Sequence, residues 1–385
     1  MLGAVSFFTD VSSEMIYPLM PAFLAGTLGA SAAQIGLIEG LAETTASVLK
    51  IFSGAWADRS RRRKPLVLLG YGLSGAMRPL IGLAPTWFTV LGLRLTDRIG
   101  KGIRSAPRDA LIADVTPPDR RGAAFGIHRS MDHAGAVVGP LVATLLVGVL
   151  ALPIRQVFLW AAVPALLAMF AILFGVRDPD TARDAAATTS AAAEKEGTPF
   201  LRWGTLPPRF KRILAILILF TLGNSTDAFL LLRLNEAGVA AGWIASLWAA
   251  LHLVKMVATA WGGRLADRVP RLYLMAGGWL VYALVYAGFA WVNHPWALIG
   301  VFLSYGLYFG LTEPAEKAWV AESVAPEVRG TAFGFYHLAI GIGALPASLL
   351  FGAIWKWGGS PAAFLTGATL AALAAGLVLI TKADA

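Results

Sequence analysis

The sequence predicts an all-α integral membrane protein with twelve transmembrane helices in two pseudo-symmetric six-helix bundles. Three observations lead to this prediction: an apolar composition, an alternation of basic and uncharged connections, and an internal repeat. Of 385 residues, 57% are hydrophobic and 14% are charged, whereas a soluble domain carries about 25% charged residues. The excess forms apolar runs near the roughly 20 residues that cross a bilayer. They leave no room for a sizeable soluble domain.

Twelve apolar segments account for nearly the whole chain. Spans 1 to 6 are predicted near residues 2–28, 33–57, 65–83, 87–114, 122–150 and 154–176. Spans 7 to 12 are predicted near residues 210–235, 240–266, 272–290, 294–324, 328–356 and 360–381. The polar segment 177–209 is predicted to be a cytoplasmic linker. The predicted domains are therefore an N-terminal bundle, 1–176, and a C-terminal bundle, 210–385.

Basic residues outside the spans cluster in alternate connections. The connections around residues 29–32, 84–87 and 291–296 carry no Lys or Arg, whereas the loop after span 2 contains Arg59, Arg61, Arg62, Arg63 and Lys64. This positive-inside pattern predicts a multi-pass protein of a bacterial inner (plasma) membrane with both termini in the cytoplasm. The net charge of +9 therefore reflects membrane topology, and no nucleic-acid partner is expected. The first apolar stretch lacks a basic lead-in and is expected to be span 1, not a cleaved signal.

The two halves of the chain repeat one another. Residues 113–122 match residues 321–330, which lie 208 positions later, and residues 124–126 match 332–334. Asp58-Arg59 closes span 2, and Asp267-Arg268 closes span 8 in the same way. An offset that places spans 4 and 5 over spans 10 and 11 indicates duplication of a six-span unit. Because six is even, both halves have the same orientation, related by an axis along the membrane normal.

Three motifs resemble those of the major facilitator superfamily. Residues 54–64, with the sequence GAWADRSRRRK, resemble the family signature between spans 2 and 3, although Arg61 stands where a glycine is usual. Arg94 with Gly100 resembles the span 4 motif. Residues 135–140, GAVVGP, resemble the span 5 motif of the drug:proton antiporter branch, with Ala143 in place of a later glycine. The resemblance covers essentially the whole chain and implies a monomeric transporter that works by alternating access.

Span 4 carries the largest number of intramembrane charges. Arg94, Asp97, Arg98, Lys101, Arg104 and Arg108 fall within an arc of about 120° on one helix face. Exposure of five such charges to lipid would cost about 15 kcal/mol, so the face must meet water or charged partners. We expect Arg94, Arg98 and Lys101 to contact substrate and Arg104 and Arg108 to act in gating. The alternative is an internal ion-pair lattice with acids such as Asp97, Asp132 or Glu43.

Other spans carry polar residues at comparable depth. Burial and neighbouring arginines shift the pKa of a carboxyl group in opposite directions, so its protonation can change during a transport cycle. We expect Asp10, Glu14 and Asp132, followed by Glu43, to carry protons; static salt bridges are the alternative. The remaining predicted substrate residues are Tyr17, Arg129, His133, Asn224, Asp227, His252 and Glu313. The aromatic residues Trp243, Trp248, Tyr305 and Tyr308 could cover an apolar part of the substrate.

The remaining predicted gating residues lie at the span ends and in span 5. Gly135 and Gly139 form a small-xxx-small pair that permits close helix contact, and with Pro140 they are expected to pack against a span of the other half. Asp58 with Arg59 and the basic run after it, and by the repeat Asp267 and Arg268, are expected to form ion pairs at the cytoplasmic ends of neighbouring helices. These pairs would hold the outward-open state and break when the cytoplasmic side opens.

These features favour a proton-coupled exporter of a small amphipathic or anionic organic molecule. Proton-coupled uptake of an organic anion is the alternative. A divalent-metal exporter that uses Asp10, Glu14, Asp132 and His133 is a third hypothesis, although the chain has no cysteine and many cations lie nearby. A channel suits the duplicated halves less well. The sequence lacks a nucleophile elbow, and Gly100-Lys101-Gly102 lacks the context of a P-loop, so neither an enzyme nor a bound cofactor is expected.

Overall fold

The computed structural model describes residues 1–60, 63–176, 203–239 and 241–383. Arg61, Arg62 and residues 177–202 of the predicted linker lie outside the described residues. Within the described part, all regular elements are helices. This agrees with the predicted all-α fold of twelve membrane helices.

The helices of the first half follow the predicted spans closely. Spans 2 and 4 are single helices, Ala32–Ser60 and Trp87–Val115, and span 3 is Lys64–Leu80 followed by a 3-10 turn, Ile81–Leu83. Span 5 is Arg121–Thr144 with a π-helical end, Leu145–Val149, and span 6 comprises Ile154–Trp160 and Ala162–Gly175.

Span 1 is irregular after its first half. The helix Leu2–Glu14 is followed by a 3-10 turn at Tyr17–Leu19, a short helix at Met20–Ala22 and a π-helical turn at Phe23–Thr27. Pro18 and Pro21 explain the irregularity, because proline lacks an N–H group and disfavours helical geometry in the residue before it.

Span 7 is broken, and the other spans of the second half are long. The two parts of span 7 are Pro208–Gly223 and Ala228–Glu236. Spans 8, 9 and 10 are Ala241–Ala266, Arg271–Trp291 and Pro295–Glu322. Spans 11 and 12 lie in one continuous stretch, Arg329–Ala383, interrupted at Gly359, whose φ is 81° and ψ 172°. The interruption falls between the two predicted spans.

Seven stretches of the described chain are long and apolar enough to cross a membrane by themselves, among them Lys64–Leu83, Ile154–Gly175 and Arg271–Trp291. The last stretch, Pro326–Thr381, has 56 residues and includes both span 11 and span 12. Span 1 is divided into short helices, and span 4 is rich in charge, so neither has an uninterrupted apolar helix. Span 4 carries five of the predicted site residues, and span 1 carries three.

The contacts divide the chain into two compact units. Unit 1 contains Met1–Val115, Met131–Thr205 and Ala325–His337, and unit 2 contains Thr116–Ser130, Leu206–Val324 and Leu338–Ala385. Each unit thus includes a short segment from the opposite half of the sequence. The predicted domain boundaries describe the sequence repeat and remain a prediction.

Small residues allow close helix packing inside each unit. In unit 1, span 4 packs on spans 2 and 3, and span 1 packs on span 6; in unit 2, span 10 packs on spans 8 and 9. A Cβ atom on Gly100 would lie 2.6 Å from the carbonyl oxygen of Gly70, and one on Gly310 would lie 2.5 Å from that of Ala258. Span 4 and span 10 therefore occupy equivalent central positions in their units.

We predict that Gly359→Ala destabilises the protein. The backbone conformation at Gly359 is one that side chains avoid, at a cost of about 1–3 kcal/mol. An added Cβ would meet only Pro361 Cδ, at 3.6 Å, so the strain comes from the backbone. Gly376→Ala is the matched control, because Gly376 is helical and has nothing within 4 Å. Tryptophan-fluorescence melting in detergent should show a lower midpoint for Gly359→Ala alone; equal midpoints would contradict the prediction.

Candidate functional site

Two helix breaks coincide with predicted site residues. Span 1 leaves the α-helical conformation directly after Glu14, and span 7 is non-helical at residues 224–226. Discontinuous membrane helices commonly form the substrate and ion sites of transporters, because their unwound backbone offers polar groups at depth. The break in span 1 lies in unit 1, and the break in span 7 lies in unit 2.

Asp97 is the centre of the buried charges in unit 1. Its Oδ1 lies 3.0 Å from Arg78 Nε, and its Oδ2 lies 3.4 Å from Arg94 Nη1. Arg78 also donates from Nη1 to the carbonyl oxygen of Thr9 in span 1, over 2.7 Å. One carboxylate therefore joins span 4 to span 3, and Arg78 extends the connection to span 1. The internal lattice considered for span 4 exists in this part of the helix.

Two further ion pairs connect span 4 to span 2. Arg94 Nη2 donates to both carboxylate oxygens of Glu39 at 2.8 Å, and Lys101 Nζ lies 3.5 Å from Glu43 Oε1. The side chains of Glu39 and Glu43 are 32% and 58% exposed. This part of the charged face is open, unlike the surroundings of Asp97, whose side chain is 2% exposed.

Arg98 lies in the same region without an ionic partner. Among the described residues, no carboxylate forms an ion pair with it, and its Nε is buried without a hydrogen-bond acceptor. Glu14 and Tyr17, at the break in span 1, lie within electrostatic reach of Arg98. The structure thus brings together Tyr17, Arg94, Arg98 and Lys101, four of the predicted substrate residues.

Arg104 and Arg108, predicted as gating residues, are both buried in unit 1. Arg104 Nη1 donates to Ser74 Oγ over 2.8 Å, and its guanidinium lies 4.2 Å from the ring centroid of Tyr71. Arg108 pairs with the fully buried Asp109 at 3.0 Å. Asp109 in turn lies 3.0 Å from His337 Nε2 on span 11. Span 4 therefore holds the start of span 11, a contact that we did not predict.

The predicted proton carriers Asp10 and Glu14 form no ion pair in the part of the chain that the structure describes. Asp132 and Glu14 are the carboxylates within electrostatic reach of Asp10, and the guanidinium groups of Arg104 and Arg78 also act on it. Asp132 and His133 are buried in span 5. Three of the four predicted carriers are therefore neighbours, whereas Glu43 lies with Lys101 on the open face.

The glycine pair of span 5 packs against span 1. A Cβ on Gly135 would lie 2.8 Å from Asp10 Cβ, and one on Gly139 would lie 2.7 Å from Glu14 Cβ. The prediction that these glycines face a span of the other half is wrong, because span 1 belongs to the same half. Pro140 lies inside the same helix. The glycines bring span 5 close to the backbone that carries two predicted proton carriers.

Asp58 binds the beginning of the helix that forms span 11. Its two oxygens accept from the backbone N–H groups of Gly330 and Thr331 at 2.7 and 2.6 Å, and Arg63 lies 3.5 Å away. Asp114 pairs with Arg63 and with Arg329, the latter at 2.8 Å. A carboxylate at a helix N-terminus satisfies free amides and complements the helix dipole. We call this contact of Asp58 with the start of the helix a helix cap. Arg59, the next residue, is exposed.

Asp267 makes the equivalent contact in unit 2. It accepts from the N–H groups of Gly122 and Ala123 at 2.6 and 2.8 Å, at the beginning of span 5. Arg271 lies 3.7 Å from Asp267 and 2.8 Å from Glu322. Arg268 is exposed and lines a cavity of about 700 Å³ beside this cap.

The break in span 7 is held by tyrosines of span 9. Tyr282 donates from its hydroxyl to the carbonyl oxygen of Gly223 at 3.0 Å, and lies 3.3 Å from Asn224 Oδ1. Ser225 Oγ lies 3.2 Å from the Tyr286 hydroxyl. The carbonyl oxygen of Gly223 at the break is thus satisfied by a side chain of span 9. Asp227 follows the break, directly before the helix Ala228–Glu236, and pairs with Lys255 of span 8.

Three other predicted substrate residues of unit 2 contact protein groups. Arg129 and Glu313 form a bidentate pair, with Nε 2.9 Å from Oε2 and a second contact from Nη2 to Oε1. His252 stacks edge-on against Trp248, with ring centroids 5.2 Å apart. Arg129 and Glu313 therefore recognise each other in this structure, and they join span 5 to span 10.

The acids of the metal-exporter hypothesis are not arranged as a metal site. Within the described ranges, no group of three or more His, Cys, Asp or Glu side chains could share an ion. A bound metal requires several such ligands at short and regular distances, so this alternative loses its support.

Comparisons with known proteins identify the family of the chain. The model of the Major Facilitator Superfamily matches residues 2–315 and 231–384. An uncharacterized MFS-type transporter of Methanocaldococcus jannaschii is 33% identical over 99% of this chain and 93% of its own length. The multidrug resistance protein MdtH of Proteus mirabilis is 28% identical over 86% of this chain and 80% of its own length.

Solved structures share the fold at low sequence identity. The human organic anion transporter MFSD10 (TETRAN) has a TM-score of 0.78 at 17% identity, covering 98% of each chain. The proton:xylose symporter XylE has a TM-score of 0.74 at 15% identity, covering 98% of this chain and 93% of its own.

We predict that Asp97→Asn destabilises the protein strongly. Removal of one partner from a buried ion pair typically costs about 3–5 kcal/mol, because the remaining charges are left uncompensated. Glu43→Gln is the matched control, since its half-exposed pair with Lys101 should contribute below about 1 kcal/mol. The measurement is the thermal midpoint of purified protein by tryptophan fluorescence. Similar midpoints for the two variants would show that Asp97 does not hold spans 3 and 4 together.

Proposed function

The chain belongs to the Major Facilitator Superfamily, a family of transporters rather than enzymes, and we propose that it is a proton-coupled exporter. The proposed substrate is a small amphipathic or anionic organic molecule, carried by alternating access by a monomer. Arg98 is the observation that carries the substrate class. Its guanidinium lacks a carboxylate partner among the described residues, whereas Arg94 and Lys101 on the same face are paired.

An arginine in this situation suits an anionic group of the substrate. A guanidinium binds carboxylate or phosphate through two parallel hydrogen bonds, and it remains charged inside a protein. The open pairs of Glu39 and Glu43 place water-accessible polar groups next to Arg98. Tyr17 is 51% exposed and offers a hydroxyl group and an aromatic face at the break in span 1.

The export direction rests on two observations of different kinds. The motif at residues 135–140 resembles that of the drug:proton antiporter branch, and the relative MdtH is named a multidrug resistance protein. The motif also lies against Asp10 and Glu14 in the structure, so it is placed beside the proposed proton carriers. Carboxylates that lie close together share protons more readily than isolated ones.

The two helix caps are proposed to act as gates. Asp58 holds the beginning of span 11 and Asp267 holds the beginning of span 5. Each cap joins segments from different halves of the sequence. Their hydrogen bonds would break and re-form during a transport cycle, together with the Arg129–Glu313 pair.

The proposal is tested by proton flux in proteoliposomes that contain a pH-sensitive dye. Aryl carboxylates, aryl phosphates and amphipathic dyes are added one at a time to the wild type and to Asp10→Asn. We expect a substrate to drive protons in the opposite direction, and Asp10→Asn to bind substrate without proton movement. Movement of substrate and protons in the same direction would support symport instead of export. Transport without proton movement would indicate that the carboxylates have a structural role.

Arg98→Gln tests the substrate class, and its transport is measured as uptake into inverted vesicles. Loss of a charged hydrogen bond to an anion should lower uptake into inverted vesicles about tenfold or more. Arg120→Gln is the matched control, because Arg120 is a surface residue whose side chain is 78% exposed. Equal activity of the two variants on every anionic substrate would show that Arg98 does not bind the substrate.

We propose that both termini lie in the cytoplasm of a bacterial inner membrane, and single cysteines test this orientation. The natural sequence has no cysteine, so each variant carries one reactive thiol. Thr86→Cys, between spans 3 and 4, should react with a membrane-impermeant maleimide in intact cells. Asp119→Cys, between spans 4 and 5, should react only in inverted vesicles. The opposite labelling pattern would show that both termini lie on the other side of the membrane.

A further inference from the structure

Lys255 of span 8 lies in an aromatic surrounding. It is 3% exposed, and its Nζ lies 3.8 Å from the ring centroid of Phe309. The centroids of Trp248 and Tyr305 are 5.4 and 5.5 Å away. All three rings are within the roughly 6 Å at which a cation is attracted by an aromatic face.

Asp227 supplies the negative charge of this group. Its Oδ2 lies 3.6 Å from Lys255 Nζ, and its Oδ1 accepts from the Tyr305 hydroxyl over 3.0 Å. The side chain of Lys255 is 4% exposed, whereas that of Asp227 is 26% exposed. The carboxylate is therefore held in a fixed orientation by Tyr305 and remains reachable from outside the pair.

A carboxylate combined with several aromatic faces is the chemistry that recognises organic ammonium ligands. A lysine ammonium on a flexible four-carbon stem resembles such a ligand, except that it is attached to the protein. Loss of one partner of a buried ion pair is costly because the remaining charge is uncompensated, so Asp227 requires a cation beside it. An organic ammonium can supply that charge when the flexible stem of Lys255 carries its own ammonium away.

We propose that Asp227, Trp248, Tyr305 and Phe309 form a binding subsite for an organic ammonium, which the side chain of Lys255 occupies in this structure. A cationic ligand displaces Lys255, so the lysine acts as an internal competitor. This subsite lies entirely in unit 2, and it goes beyond the proposed function, which assigns an anion to Arg98 in unit 1. It depends neither on the direction of transport nor on the coupling ion.

The test is equilibrium binding of benzyltrimethylammonium to the purified full chain in detergent, by isothermal titration calorimetry. If Lys255 fills the subsite most of the time, its removal should raise the apparent affinity about tenfold or more. We therefore expect Lys255→Met to bind the probe at least tenfold more tightly than the wild type, and Lys255→Met with Asp227→Asn not to bind it. The affinity for benzoate, which has the same ring with a negative charge, should be the same in the wild type and in these variants.

Lys317→Met is the matched control. Lys317 is also 3% exposed in unit 2 and also lies over an aromatic ring, that of Phe125 at 5.8 Å. The Lys317→Met variant should bind benzyltrimethylammonium with the affinity of the wild type. An equal gain in affinity in both lysine variants would show that the effect comes from net charge. No gain in affinity in either variant would show that Lys255 and Asp227 form a fixed structural pair. Both outcomes would overturn the proposal.

Two further variants decide the question if Lys255→Met does not fold. Asp227→Asn and Phe309→Leu, each in the otherwise natural chain, should weaken binding of the probe about tenfold, and unchanged affinity would overturn the proposal. The assay requires no transport. Failure of this inference therefore leaves the proteoliposome result intact, and failure of proton-coupled export leaves the binding result intact.

Discussion

The structure of the first half depends on how the charges of span 4 are compensated. A charged side chain in hydrocarbon is tolerated only with a partner or with water, and span 4 meets this requirement differently along its length. Asp97 compensates Arg78 and Arg94 in the interior, and Glu39 and Glu43 compensate Arg94 and Lys101 on the open face. These pairs connect span 4 to spans 2 and 3, and Arg78 extends the connection to Thr9 of span 1. Arg98 forms no ion pair among the described residues, although Glu14 lies within electrostatic reach of it.

The repeat conserves the architecture but not the chemistry of the central helix. At the offset of 208 residues, Arg94, Asp97 and Lys101 correspond to Phe302, Tyr305 and Phe309. Arg78 and Ser74 of span 3 likewise correspond to Tyr286 and Tyr282 of span 9. One half therefore offers charge and the other offers aromatic surface at equivalent positions. Both central helices approach their neighbours through glycine, so the close backbone contacts are of the same kind in both halves.

Much of the fold could be predicted from the sequence because the bilayer fixes the length of each apolar run, and the repeat fixes the number of runs. The break in span 1 follows from Pro18 and Pro21, whereas the break in span 7 has no proline and could not be located. The residues of the charged face were identified, and Asp97 and Glu43 were considered as their partners. Which cation each acid meets was not predicted, because side-chain pairing depends on how helices rotate. Arg78 was missed although it is the one charged residue of the predicted span 65–83, which was a sufficient signal. Small-residue spacing correctly marked a close contact at Gly135 and Gly139, but it contains no information on which helix lies opposite.

The two helix caps have a consequence for the origin of the chain. Asp58 of the first half holds a helix of the second half, and Asp267 of the second half holds the corresponding helix of the first. Contacts in which residue i meets residue j and j meets i are the property of an isologous interface between identical subunits. A six-span ancestor with one aspartate and one such helix would carry everything needed to pair with a second copy of itself. Fusion of the two copies would then convert a dimer interface into an intramolecular contact, and each copy would become free to diverge, one toward arginine and the other toward tyrosine and phenylalanine.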